Sequence, residues 1–223
     1  MRKLLLSTTL AVAALAIAAL TGPALANPVL TVTGVSVQGD IVTIAGPTSP
    51  ETVRAGPLTL TTSMGSIVAW CVDLFHLVRT GDGQNLHYAL GAFTTDNAPA
   101  PTALSAAQQA GIANLASYGQ SLIGTAQGTT DNLTAVQLAI WSVEYPTFTY
   151  TGAPEAPVAA TLLQASSGTG RATGLLALDG TQTFVTADQG VIDAAAAAVP
   201  EPATLALLSS GLALLGVTAR RRA

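Results

Sequence analysis

The stretch IVAWCVDLFH, residues 67–76, decides how the chain is organised. Its apolar first half is typical of a buried strand, which we predict over residues 66–72. Near the end of that strand lies Cys71, the only cysteine in 223 residues. A lone cysteine is unusual in an exported chain, where cysteines are normally paired or missing. The thiol therefore needs either another bonding partner or a purely structural role.

The N-terminus has the three parts of a secretory signal peptide. Residues 1–3 are basic, residues 4–20 are apolar, and Ala-Leu-Ala at 24–26 is a small-x-small cleavage signal. We expect a signal peptide over residues 1–26 and a mature chain that begins at Asn27. The alternative is an uncleaved anchor, which the short apolar run and the well-formed cleavage signal disfavour.

The C-terminal residues 199–223 also form three parts. A Pro-Glu-Pro motif precedes the apolar run 203–217, which is short for a membrane-spanning helix. Three arginines follow and should stay on the cytoplasmic side. The motif and the membrane stop consist of Pro200, Glu201 and Pro202, and of Arg220, Arg221 and Arg222.

This tail resembles the PEP-CTERM sorting signal, in which an exosortase recognises and removes the tail. The resemblance implies a Gram-negative bacterium, export machinery and exosortase as partners, and passage through the inner membrane by way of a C-terminal transmembrane helix. The final location would be the cell surface or the extracellular matrix. A plain C-terminal anchor is the alternative, although it would not require Pro-Glu-Pro at that junction.

The segment between the two signals is acidic. Three arginines and eleven acidic residues lie between positions 27 and 199, which gives a net charge of −8. Such a surface does not attract nucleic acid or anionic lipid. Lys3 is the only lysine in the chain. We expect one domain over residues 27–193, followed by a small-residue spacer at 194–198.

Hydrophobic patterning predicts an α+β fold, with a strand-rich part and a small helical insertion. Two hairpins are predicted, around Gly39-Asp40 and around Asp179-Gly180. A capping box at Ser105 predicts a helix to about residue 118, and Thr130 or Asp131 could cap a second to about residue 143. The remaining predictions are strands at 58–61 and 87–90, a flexible link at 80–84 and a helix at 157–165.

No cofactor or metal motif is present in the sequence. The two histidines, His76 and His87, lack the spacing of a metal site, and there is no second cysteine. Gly81-Asp82-Gly83 lacks the lysine of a phosphate-binding loop. We therefore expect neither a bound metal nor a cofactor.

Three patterns resemble the thioester domain of bacterial surface adhesins. An aromatic residue precedes the cysteine in Trp70-Cys71-Val72. A helix carries Gln-Leu-Ala-Ile-Trp at 137–141, and a late predicted strand carries Gln182 within residues 181–185. In that family a glutamine side chain acylates the cysteine with loss of ammonia, and the thioester captures an amine on a target.

The resemblance implies that Cys71 is the thiol and Gln182 the acyl donor, with Trp70, Gln137 and Trp141 in support. Trp70, Phe75 and Trp141 would keep water from the bond. Thr181 and Thr183 depart from the apolar residues that the family has beside its glutamine. Gln164 fits that local pattern better, but it falls in a predicted helix, and it remains the alternative donor.

Three functions follow from these interpretations. The first is a covalent adhesin that captures amines on a target and is not an enzyme. The second is a passive envelope or biofilm matrix component in which Cys71 is a small buried hydrophobe. The third is a cysteine hydrolase that uses His76 or His87 as its base.

Overall fold

A computed structural model describes residues 29–198. The predicted signal peptide, the sorting motif and the apolar run 203–217 lie outside the described residues. Within 29–198, no helix combines the length and apolar character needed to cross a membrane.

Nine strands and four α-helices make up the described part of the chain. The strands are β1 (Val29–Val37), β2 (Asp40–Ala45), β3 (Glu51–Ala55), β4 (Leu58–Thr62), β5 (Gly65–Cys71), β6 (Gly81–Gly91), β7 (Thr149–Thr151), β8 (Thr173–Ala177) and β9 (Phe184–Thr186). The helices are α1 (Ala106–Leu122), α2 (Thr130–Glu144), α3 (Glu155–Leu162) and α4 (Gln189–Ala198), with a 3₁₀ turn at Leu163–Ser166.

Six of the strands close into a barrel in the order β1-β4-β5-β9-β8-β6, and three form a separate sheet in the order β3-β2-β7. All pairings are antiparallel. Helices α1 and α2 lie in the sequence between β6 and β7. The structure thus confirms a strand-rich fold with a helical insertion.

The predicted hairpin around Gly39-Asp40 is wrong, because β1 and β2 belong to different sheets. β1 pairs with β4, and β2 pairs with β3, so the four strands form one long ribbon that crosses from barrel to sheet. The crossing lies at Gly39 and Gly56, where the two backbones touch. A side chain on Gly39 would meet the carbonyl of Ala55, and one on Gly56 would meet that of Gln38.

Local signals predict the helices well. Ser105 and Gln108 form the expected capping box, with Gln108 N–H donating to Ser105 Oγ at 3.2 Å and Ser105 N–H donating to Gln108 Oε1 at 3.0 Å. The second helix is capped by Thr129 rather than by Thr130 or Asp131. The third begins at Glu155 and becomes a 3₁₀ turn after Leu162.

Two predicted connections are elements of regular structure. The link at 80–84 is largely the start of β6, where Gly81 pairs with Val35 across a bulge in β1. The spacer at 194–198 is the second half of α4. Sequence patterns did not predict either element because both are rich in small residues. Glycine weakens a strand pattern, and a run of alanines has no apolar periodicity.

Strand β5 separates two apolar cores, because successive side chains of a strand point to opposite faces. Cys71 packs in one core with barrel residues such as Leu60 and Phe184. Trp70 lies in the other, against α1 and α2. The alternation therefore places the thiol and the neighbouring indole on opposite sides of the strand.

Candidate functional site

Cys71 is the last residue of β5, and the strand ladder brings the Gln182 segment beside it. Cys71 pairs with Phe184 of β9, and the N–H of Val72 extends the ladder by donating to the carbonyl of Thr183 at 3.2 Å. Gln182 itself lies between β8 and β9, not within a strand as predicted. The β8–β9 hairpin nevertheless brings Gln182 close to Cys71, as the prediction required.

The side chain of Gln137 holds the backbone of Cys71 in place. Cys71 N–H donates to Gln137 Oε1 at 2.9 Å, and Gln137 Nε2 donates to the Cys71 carbonyl at 2.7 Å. Gln137 is fully buried on α2. Its amide thus takes the place of a neighbouring strand, and the predicted supporting residue is in direct contact with the cysteine.

The backbone carbonyl of Asp73 joins the two side chains that the sequence singles out. It accepts a hydrogen bond from Cys71 Sγ at 3.0 Å and another from Gln182 Nε2 at 2.9 Å. The sulfur and the amide nitrogen therefore lie no farther apart than the sum of these two distances. The structure brings Cys71 and Gln182 together, 111 positions apart in the chain.

The carboxylate of Asp73 organises the loop that follows the cysteine, and it is buried. Oδ1 accepts from the backbone N–H of Phe75 at 2.9 Å and of His76 at 3.1 Å, and Oδ2 lies 2.9 Å from His76 Nδ1. The Thr183 N–H also donates to Oδ2, at 3.4 Å. Sequence reasoning missed this residue, although aspartate commonly binds the backbone two residues ahead in a loop.

A cavity of about 270 Å³ opens over these residues. Its inner wall includes Cys71, Gln137, Trp141 and Gln182, and His76 also lines it. Apolar side chains from the small sheet, the barrel and the 72–80 loop complete the walls: Val37, Ile44, Val53, Leu58, Leu74, Leu77 and Val78. The site is thus a largely apolar cleft with a few convergent polar groups, the usual form of a reactive or binding site.

Burial raises the pKa of the Cys71 thiol well above its usual value. The hydrogen bond to the backbone of Asp73 acts in the opposite direction. The indole N–H of Trp141 has no hydrogen-bond partner in the described part of the chain, although it is buried. The cleft is therefore lined by a thiol that stays protonated and by the indole of Trp141.

Other predicted residues lie elsewhere. Trp70 packs against the helices rather than beside the thiol, so it supports β5 and does not shield Cys71. Phe75 packs edge-on against Tyr145, with ring centroids 5.9 Å apart. Gln164 bonds Ser167 from the 3₁₀ turn and does not line the cleft. His87 lies on β6, also outside the cleft.

No histidine of the described segment 29–198 forms a hydrogen bond with the Cys71 thiol. Among residues 29–198, the hydrogen bonds of Cys71 Sγ both involve the backbone of Asp73. Nor does that part of the chain place three or more histidine, cysteine or acidic side chains where they could hold a metal ion.

Comparisons with known proteins add one family motif. Residues 198–222 match the PEP-CTERM protein-sorting motif. No curated protein matches the chain. Among solved structures, the N-terminal thioester domain of a surface protein from Clostridium perfringens is similar at a TM-score of 0.42 and 10% identity, over 61% of this chain and 89% of that one.

The sorting motif confirms the prediction made from the C-terminal sequence. It marks an exported protein that is processed at the membrane, with the export machinery and an exosortase as partners.

Proposed function

We propose that this exported protein is a covalent adhesin of the cell surface or extracellular matrix, in which Cys71 and Gln182 form a thioester that captures amines. The observation that carries the proposal is the Asp73 carbonyl oxygen, which accepts hydrogen bonds from both Cys71 Sγ and Gln182 Nε2. Two reacting groups held on one atom are pre-positioned, which removes much of the entropic barrier to their reaction.

Bond formation is a simple acyl transfer. Cys71 Sγ attacks the side-chain carbonyl carbon of Gln182, the C–N bond breaks, and the nitrogen leaves as ammonia with the thiol proton. Trp141 lines the same cleft, and its buried indole N–H would donate to the oxygen that becomes negative during the attack, the role of an oxyanion-hole donor. Gln137 keeps the cysteine backbone fixed throughout.

The surroundings suit a bond that must survive until a target arrives. Cys71 is only 3% exposed, and the apolar walls of the cleft limit access of water. The chain has no lysine after Lys3, so the mature protein has no lysine side chain of its own to consume the thioester. The partner is then an amine-bearing molecule of another surface or of the matrix.

The proposed reaction occurs once per molecule, so the protein is not an enzyme. A passive matrix component is the second candidate, because burial and a raised thiol pKa also describe an inert core cysteine. A cysteine hydrolase fits less well, because such an enzyme needs a thiol of low pKa. We also propose that the protein reaches the outside of the inner membrane of a Gram-negative bacterium by way of the transmembrane segment predicted from its C-terminal sequence.

The intact mass of the exported protein tests the proposal. We expect wild type to be lighter than its sequence mass by one ammonia, and to gain the mass of methylamine when treated with it. Cys71→Ala and Gln182→Ala should each abolish the deficit, because each removes one half of the bond. Gln164→Ala is the matched control and should retain it.

The other outcomes are equally specific. Loss of the deficit in Gln164→Ala alone would move the acyl donor to the 3₁₀ turn. Full mass in wild type, with a thiol that alkylates only after denaturation, would favour the passive component. Full mass with a thiol that alkylates readily in the folded protein would favour the hydrolase.

A further inference from the structure

Asp73 connects the two proposed reacting groups to a histidine. Its backbone carbonyl bonds Cys71 Sγ and Gln182 Nε2, while its carboxylate holds His76 Nδ1 at 2.9 Å. The carboxylate is 1% exposed and the His76 side chain is 46% exposed. A buried acid therefore orients an imidazole that solvent and incoming molecules can reach, in the cleft that contains the proposed thioester.

The hydrogen bond to Asp73 also fixes the imidazole tautomer. With Nδ1–H donating to the carboxylate, the proton-accepting lone pair lies on Nε2. This is the arrangement by which an aspartate prepares a histidine to act as a general base.

We propose that His76 is the general base of the capture step, positioned by Asp73, and that the captured group is a primary amine such as a lysine side chain. This inference rests on the proposed thioester. The cleft is slightly smaller than the roughly 300–1,000 Å³ of sites for drug-sized ligands, which suits a slender aliphatic amine.

The step balances without any further reactant. The amine nitrogen attacks the acyl carbon of Gln182, and His76 Nε2 takes the proton that the nitrogen must lose. The C–S bond breaks, and the imidazolium returns the proton to the departing Cys71 sulfur. The products are a substituted Gln182 amide, a Cys71 thiol and a neutral His76. Because burial favours the thiol over the thiolate, the sulfur needs that proton.

Charged groups from two parts of the chain line the cleft together with the imidazole. Asp73 contacts it from its own loop, while Glu51 and Arg54 line the cleft from β3. Arg54 is exposed and donates to the Gly39 carbonyl at 2.6 Å. Glu51 adds a carboxylate to the lining of the same cleft, where it would attract a cationic amine.

The test compares His76→Gln with His87→Gln in the purified exported protein, using methylamine and following the gain of mass. We expect His76→Gln to slow aminolysis by about 100-fold, the low end of general-base effects. His87→Gln should react at the wild-type rate, since His87 lies outside the cleft. His76 is half exposed, so its replacement should leave the fold intact.

The pH dependence of the aminolysis rate distinguishes a catalytic role of His76 from a purely structural one. After correction for the fraction of free methylamine, the wild-type rate should retain a dependence on pH that belongs to the general base. The His76→Gln rate, corrected in the same way, should not depend on pH. Without the general base, the only pH dependence is that of the amine, and the correction removes it.

Each result decides between the two proposals. Wild type at full mass would overturn both the thioester and the role of His76. A normal ammonia deficit with equal rates in wild type, His76→Gln and His87→Gln would overturn the role of His76 alone. A folded His76→Gln that stays at full mass would support it, because bond formation is aminolysis in reverse, with ammonia as the amine.

Discussion

The hydrogen bonds of Gln137 explain why a glutamine, and no similar residue, fits beneath the cysteine. Cys71 presents one N–H and one carbonyl to α2, and an amide can satisfy both. A glutamate would lack the donor and bring a charge into a fully buried position. A leucine would leave both backbone groups unpaired, at a cost of about 1–3 kcal/mol each.

Glu144, the last residue of α2, gives a prediction about pH. It is buried, and neither carboxyl oxygen has a hydrogen-bond partner within residues 29–198. Burial raises its pKa well above the ordinary 4.5. A raised pKa stabilises the fold at low pH, and that stabilisation declines as the pH rises from about 4.5 towards the folded-state pKa. Glu144→Gln should therefore gain stability relative to wild type as the pH rises.

Urea denaturation at about pH 5 and about pH 8 measures this effect. The unfolding free energy of wild type should fall between the two values by more than that of Glu144→Gln. Glu155→Gln, at an exposed position on α3, should follow wild type. Equal pH dependence in wild type and Glu144→Gln would contradict the argument.

At the scale of elements, the contact between α1 and β5 depends on Gly119. A methyl group there would overlap the indole of Trp70 and come within 2.8 Å of Val136 Cγ1. Trp70 is fully buried, so the indole cannot turn out into solvent without losing its packing. Overpacking costs about 1–3 kcal/mol, against roughly 1 kcal/mol gained by replacing glycine within a helix. Gly119→Ala should therefore lower the unfolding free energy by up to about 2 kcal/mol.

A second glycine of the same helix provides the control. At Gly111 the nearest atom to an added methyl is Val143 Cγ1 at 3.2 Å, so the overlap is small. Gly111→Ala should retain most of the helix-propensity gain and unfold at a higher urea concentration than Gly119→Ala. If both variants proved as stable as wild type, the close packing of α1 on Trp70 would be disproved.

The elements also show what the sequence could predict. Capping at Ser105 and the apolar strand before Cys71 are local signals, and both were predicted correctly. The pairing of β1 with β4 is set by distant residues, so the turn chemistry of Gly39-Asp40 wrongly suggested a hairpin. Of the candidate site, Cys71, Gln137 and Gln182 could be named. The role of Asp73 could not, because it depends on a backbone carbonyl and the shape of one loop.

At the scale of the whole molecule, the sorting motif and the candidate reactive site occupy different parts of the chain. The candidate site lies entirely within residues 29–198, whereas the sorting motif occupies residues 198–222. Removing the motif should therefore change where the protein goes without altering the contacts around Cys71.

Deletion of residues 199–223 tests this separation. We expect the truncated protein to leave the cell envelope for the periplasm or the medium, because it lacks the motif that an exosortase recognises. Wild type should instead be processed near Pro200 and lose its tail. A matched control changes Pro200, Glu201 and Pro202 to alanine and keeps the apolar run and the arginines, so it should stay in the membrane unprocessed. Fractionation with intact-mass measurement follows all three proteins. A full-length tail on mature wild-type protein at the cell surface would contradict sorting and establish a permanent anchor in its place.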